Sequence, residues 1–90
     1  MSIVKELPEV ITSYRGVHTA ITTKIVEQEN RFTFEDILDY AINLNISIKA
    51  LENAESRVKY LRSITNNILR HLICNNRVVK TSDNRFVYID

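Results

Sequence analysis

The chain holds one glycine, one proline and one cysteine among its 90 residues. Glycine-rich phosphate loops and nucleophile elbows each need several glycines at fixed offsets, so a single glycine excludes both kinds of site. A single cysteine excludes an internal disulfide and any zinc site built on several cysteines. The sequence also lacks paired acid–base motifs. We therefore predict that the protein is not an enzyme.

Long apolar runs are missing as well. No stretch approaches the roughly 18 to 20 apolar residues that a membrane span needs. The N-terminus has no basic patch followed by a long apolar run, as a signal peptide would. Together with the lone Cys74, which suits a reducing compartment, this predicts a cytoplasmic protein with no membrane partner. Isoleucine and asparagine are abundant, a usage that often accompanies the AT-rich genes of bacteriophages and mobile elements.

The rest of the composition is typical of a folded domain. The chain is 44% hydrophobic and 26% charged, which is too apolar for a disordered segment. No repeat, low-complexity segment or linker divides it, so we predict a single domain over residues 1–90. His71 and Cys74 lie three residues apart, but His18 is the only other histidine. We therefore predict neither a metal site nor a cofactor.

Apolar side chains recur at helical spacing in the first half of the chain. A first helix is predicted from about Pro8 to Glu29, with Gly16 inside it and an apolar stripe formed by Val10, Ile11, Tyr14, Val17, Ile21 and Ile25. A short extended strand is predicted at residues 31–32. A second helix is predicted from about Phe34 to Leu44, because Thr33 and Asp36 have the spacing of a capping box.

The segment after the second helix is ambiguous. Residues 45–47 are predicted to break the helix, with Asn45 in the left-handed conformation and Ser47 as the cap of the next helix. Residues 48–54 then form either a short helix of their own or the first turns of one long helix that reaches Cys74. From residue 56 a helix is clear, and its apolar stripe consists of Val58, Leu61, Ile64, Thr65, Ile68, Leu69 and Leu72.

The last residues change in character. Asn75 and Asn76 are predicted to end the third helix, because asparagine tolerates positive φ. Segments 77–81 and 85–89 are rich in β-branched and aromatic residues, and the polar cluster 82–84 separates them, which predicts a β-hairpin. The predicted fold class is mainly α with a small β-hairpin (α+β).

The order helix, short strand, helix, turn, helix, hairpin resembles that of the winged helix-turn-helix domains, with three or four helices and a C-terminal wing. The resemblance runs from Phe32 to Ile89. Its main part is RSITNNILRHLICNNRVVK (62–80), which is similar to the family's recognition helix, left-handed turn and first wing strand. Asn76 stands where the family usually has glycine. The stretch 45–55 is longer than the family's usual turn between the second and third helices.

The resemblance implies a small transcriptional regulator whose partner is double-stranded DNA. Its recognition helix, at about 56–75, would enter the major groove, and its wing, at 77–89, would contact the backbone. A module of this size makes few base contacts, so a homodimer on two half-sites is expected.

Polar residues on the third helix suit that role. Four of them, spaced four, three and four apart, share one helix face: Lys59, Ser63, Asn66 and Arg70. Asparagine and arginine can bond bases bidentately, and serine can bond bases or phosphates. The predicted DNA contacts are Ser56, Arg57, Lys59, Arg62, Ser63, Asn66, Asn67 and Arg70 on the helix, and Arg77, Lys80 and Arg85 on the wing.

The net charge of +1 conceals a segregation of charge along the chain. Residues 1–55 hold 5 Lys and Arg against 9 Asp and Glu, a net −4, whereas residues 56–90 hold 7 Lys and Arg against 2 Asp, a net +5. The solvated face of any amphipathic helix would show polar spacing like that of the third helix. The basic half is the feature that favours a nucleic-acid partner.

The alternative is a protein-interaction module of the same fold, an adaptor or inhibitor that binds a host or regulatory protein. Its contact would be the acidic N-terminal half, or the long helix from residue 48 to 74. In that helix a heptad-like seam is formed by Leu51, Ala54, Val58, Leu61, Thr65, Ile68 and Leu72.

Several other side chains have a structural interpretation. We predict that Cys74 is a small buried residue and that His71 lies at the surface or its boundary. Four aromatic residues are predicted to be core side chains rather than base-stacking platforms: Tyr14, Phe34, Phe86 and Tyr88. Tyr60 falls at the edge of the third helix's apolar stripe.

Overall fold

The computed structural model describes residues 10 to 89, which form three α-helices, one turn of 3-10 helix and a two-stranded antiparallel sheet. In chain order these are α1 (Tyr14–Val26), α2 (Phe34–Ile42), the 3-10 turn (Lys49–Leu51), α3 (Ala54–Cys74), β1 (Val78–Lys80) and β2 (Phe86–Tyr88). The predicted class, mainly helical with a small antiparallel sheet, is confirmed.

Helix α1 begins at Tyr14 and ends at Val26, so it is shorter at both ends than predicted. Ser13 is extended, and its Oγ accepts a hydrogen bond from the Gly16 N–H at 3.0 Å, which makes it the N-cap. A serine cap of this kind fixes the first turn. The predicted start at Pro8 lies outside the described residues.

Ile11 precedes the cap and lies outside the helix, although its spacing matched the helical stripe. Its N–H donates to the Asn45 carbonyl at 2.9 Å, and its own carbonyl accepts from the Ser47 N–H at 2.8 Å. This parallel bridge holds Ile11 close to α1, where a Cβ added at Gly16 would stand 2.9 Å from Ile11 Cγ2. Gly16 therefore allows Ile11 to approach α1 closely because it has no side chain, and its φ is not unusual.

Helix α2 confirms the predicted capping box. The Thr33 hydroxyl accepts from the Asp36 N–H at 3.1 Å, and the Asp36 carboxylate accepts from the Thr33 N–H at 2.9 Å. The helix ends at Ile42 rather than Leu44. The left-handed conformation predicted for Asn45 is wrong, because its φ is not among the positive values.

The segment between α2 and α3 decides between the two alternatives left open by the sequence. Residues 49–51 form a separate 3-10 turn, and Asn53 then caps α3 by accepting from the N–H groups of Glu55 and Ser56 at 2.9 and 3.1 Å. One long helix from residue 48 is therefore wrong. Ser47 does not cap the 3-10 turn, since Ile48 holds that position and has no side-chain hydrogen bond.

The end of α3 confirms the prediction for residues 75 and 76. Asn76 has φ 62°, the Arg77 N–H donates to the Leu72 carbonyl at 2.8 Å, and the Asn76 N–H donates to the Ile73 carbonyl at 3.0 Å. These two bonds define a Schellman motif with asparagine at the left-handed position. The motif directs the chain from the helix straight into β1.

The predicted hairpin is also confirmed. β1 and β2 pair antiparallel with Val78 opposite Tyr88, and Asn84 in the connecting turn has φ 65°. The predicted extended segment before α2 joins this sheet, because Phe32 and Phe86 exchange backbone hydrogen bonds of 2.9 and 2.7 Å.

The three helices, the segment before α2 and β1 contribute to one cluster of buried side chains. The cluster holds Val17, Ile21, Ile25, Phe32, Ile37, Leu38, Ala41, Leu61, Ile68, Leu69, Leu72 and Val78. Thr65 is also fully buried. Phe34, Phe86 and Tyr88 pack against the cluster as predicted, and so does Tyr60.

Two predictions of burial are wrong. Cys74 is exposed, because it lies on the outward side of the last turn of α3. Tyr14 is 47% exposed and packs edge-on against the Tyr60 ring at 5.2 Å between centroids, rather than in the core. His71 is exposed, as predicted.

Candidate nucleic-acid interface

The outer face of α3 carries most of the predicted contacts. The opposite face of the helix is fixed by burial of Leu61, Ile68 and Leu69, which keeps the outer side of the helix turned toward solvent. Seven of the predicted residues are exposed along the helix: Ser56, Lys59, Arg62, Ser63, Asn66, Asn67 and Arg70. We call these seven residues the outer face.

The outer face is free of acidic side chains on its own helix. The sequence has no Asp or Glu between Glu55 in the first turn of α3 and Asp83 in the hairpin turn. Lys59 and Arg70 are separated by 11 residues, which corresponds to about 16 Å along a helix axis. The outer face is therefore a strip of cations, amides and hydroxyls with a length suited to a nucleic-acid groove.

Arg57 belongs to the structure of the domain rather than to this strip. Its guanidinium donates to the Leu44 carbonyl at 2.8 Å and its side chain is half-buried. The contact ties the residues after α2 to the first turn of α3. The sequence pattern gave no sign of it, because the partner is a backbone carbonyl 13 residues away.

Arg62 lies at the border of the outer face. Its guanidinium is 3.8 Å from a carboxylate oxygen of Glu35 and stands 5.9 Å from the centroid of the Phe34 ring. Both side chains of the ion pair are more than half exposed, so the pair adds little stability. It does place one negative charge beside the strip.

The wing residues Arg77 and Lys80 are exposed, and Arg85 is paired within its own turn. Asp83 lies 3.8 Å from Arg85 and 3.4 Å from Arg31. The hydrogen bond from the Thr81 hydroxyl is the largest cause of a lowered pKa for Asp83, and the two arginines act in the same direction.

Arg31 is a basic residue near the wing that the sequence reasoning missed. The bridge between Phe32 and Phe86 brings it to the hairpin turn. The sequence did place Arg31 in a predicted short strand. It did not indicate that this strand pairs with β2, and that pairing is what brings Arg31 to the wing.

Within residues 10–89, no hydrogen bond or ion pair links the wing cations to the outer face. The two groups are connected through the end of α3 and the turn at Asn76. In the same range, no group of three His, Cys, Asp or Glu side chains could hold a metal ion. None of the helices there has both the length and the apolar character that crossing a membrane requires.

Comparison with protein-family models, with curated proteins and with solved structures finds no match to this chain.

Proposed function

We propose that this chain is a winged helix-turn-helix DNA-binding domain that regulates transcription without catalysis, with α3 as its recognition helix. The order of elements supports the proposal, and so does the pairing of the segment before α2 with β2. The hairpin then corresponds to the wing.

The outer face of α3 is the observation that carries the proposal. Asn66 and Arg70 are one helical turn apart and exposed, and their side chains can form bidentate bonds to adenine and guanine. Lys59 and Ser63 extend the same face toward the N-terminus of the helix. The span from Lys59 to Arg70, about 16 Å, corresponds to about five base pairs at 3.4 Å each, which is one half-site in the major groove.

The remaining cations have different expected roles. Lys80 and Arg77 would contact phosphates beside the groove, where they raise affinity without reading sequence. Arg62 and Arg85 each face a carboxylate and would contribute less.

The first test is fluorescence anisotropy with labelled duplexes, including random sequence, over a series of salt concentrations. Three to four phosphate contacts predict that log K falls with log salt with a slope between about −2.7 and about −3.6. Absence of salt-sensitive binding at about 50 mM salt would contradict the proposal.

The second test compares two double variants. Asn66→Ala with Arg70→Ala should weaken duplex binding at least tenfold, since each bidentate contact contributes about 1–3 kcal/mol. The control is Arg15→Ala with Thr19→Ala, an exposed pair on α1 with the same spacing and the same loss of charge. Both should melt like the wild type. Equal binding by the two variants would refute the assigned face.

The alternative, a protein-interaction module, gives a different result in the same experiments. It predicts no duplex binding by a folded protein, together with stoichiometric capture of one protein from the host. The heptad-like seam predicted for this module is not continuous, because Leu51 belongs to the separate 3-10 turn and α3 begins only at Ala54.

A further inference from the structure

A groove of about 370 Å³ lies between α1, the C-terminal half of α3 and the hairpin. Its apolar surface comes from Val26, Ile68, Leu72 and Tyr88. This volume is within the range of small-molecule sites, which begins at about 300 Å³. The proposed function uses the outer face of α3 and, of the residues that line this groove, only Arg77.

None of the polar side chains that line the groove in the described part of the chain carries a negative charge. Both histidines of the chain, His18 and His71, line it together with Arg77, and none of the lining residues in the described range is acidic. Asn75 Nδ2 lies 3.0 Å from His71 Nε2. Because an amide nitrogen only donates, Nε2 accepts in this contact.

We propose that this groove binds a small monocarboxylate with an apolar tail. The tail would cover Val26, Ile68 and Leu72, and the carboxylate would lie at the Arg77 guanidinium, which is always charged and suits carboxylate geometry. The two histidine rings also line the groove and would offer polar contacts beside the carboxylate. Charge complementarity selects the anion over a neutral or cationic amphiphile of the same size.

The test follows backbone amide shifts of the full chain by NMR during titration with octanoate, below the concentration at which it forms micelles. Amides of groove residues such as Thr22, Val26 and Tyr88 should shift and saturate. 1-Octanol, which has the same tail without the charge, should bind at least tenfold more weakly. Equal binding of octanol and octanoate, or shifts that do not saturate, would overturn the proposal.

Matched variants locate the charge that matters. Arg77→Gln should weaken octanoate binding about tenfold, whereas Lys80→Gln, which removes the same charge from an exposed wing residue outside the groove, should leave it unchanged. Val26→Glu adds a carboxylate at a groove residue that is 43% exposed and should weaken octanoate binding by repelling the anion. If Arg77→Gln does not fold, the Val26→Glu variant still tests whether the groove binds octanoate.

A second copy of the chain is the competing occupant. Sedimentation at several concentrations distinguishes it: a dimer whose groove amides do not respond to octanoate would assign the groove to the partner chain and overturn the proposal. The test uses no DNA, so its failure would leave the proposed DNA binding untouched.

Discussion

Helix α3 and the hairpin both carry predicted DNA contacts, but they hold their cations in different ways. α3 is fixed by the burial of its inner face, and Lys59 and Arg70 have no carboxylate within ion-pair distance among residues 10–89. The hairpin turn is held by its own polar groups, and Asp83 sits between Arg85 and Arg31. Arg62 on α3 also faces a carboxylate, that of Glu35, so the availability of each cation to a phosphate depends on its neighbours as well as on its element.

The largest expected effect concerns the anchoring of α3. Leu61 is fully buried, so Leu61→Ala should lower the free energy of unfolding by about 2–5 kcal/mol. Val79 on the hairpin is 45% exposed, and Val79→Ala should cost less than about 0.5 kcal/mol. Urea denaturation measures both. Similar losses in the two variants would contradict the difference in burial between Leu61 and Val79.

A smaller effect is expected at Thr65, on the same buried face of α3. Its side chain is fully buried, and its hydroxyl has no hydrogen-bond partner among residues 10–89. Thr65→Val keeps the shape and removes the unpaired polar group, so it should stabilise the fold by about 1 kcal/mol. Thermal and urea unfolding check this. A loss of stability would mean that the hydroxyl is hydrogen-bonded in solution.

The smallest effect on affinity is expected from Asp83→Asn, which removes the carboxylate that faces two arginines of the wing region. If the wing contacts phosphate, duplex affinity should rise, by at most about fivefold at low salt, because exposed ion pairs are weak. Glu29→Gln, an exposed substitution on the loop after α1, controls for net charge. An equal rise in both variants would assign the effect to overall charge.

We expect Asp83 to give the hairpin a weak dependence on pH, because its carboxylate is exposed. Folding lowers its pKa below the ordinary 3.8, with the Thr81 hydrogen bond as the main cause. The stabilisation is therefore present above pH 3.8 and is lost as the pH falls through the lower, folded value. Asp83→Asn should lack this component. Hairpin amide shifts recorded between about pH 2 and 5 would show it.

The parts of the fold that sequence could predict are those set by neighbouring residues. The capping box at Thr33, the left-handed Asn76 and the hairpin turn each depend on contacts within a few positions. The start of α1 could not be predicted in this way. Ile11 has helical spacing, and only its pairing with residues 45–47 takes it out of the helix.

The same division applies to the candidate site. Spacing alone was enough to place the seven outer-face residues on one exposed strip, because the helical repeat determines on which side of the helix each residue lies. The contacts of Arg57 and Arg31 could not be predicted in this way, since their partners, the Leu44 carbonyl and Asp83, are 13 and 52 residues away. Contacts over such separations are set by the tertiary structure and leave no local pattern.

The bridge between Phe32 and Phe86 has a consequence for the order of folding. Its two hydrogen bonds join residues 54 positions apart, on either side of α2 and α3. Closing a flexible loop of that length costs entropy that a single bridge does not recover. Packing of α2 against α3 shortens the distance, so we expect the helices to form first and the hairpin to dock last. In that case substitutions at Phe86 should speed unfolding and leave the folding rate nearly unchanged, as stopped-flow measurements would show.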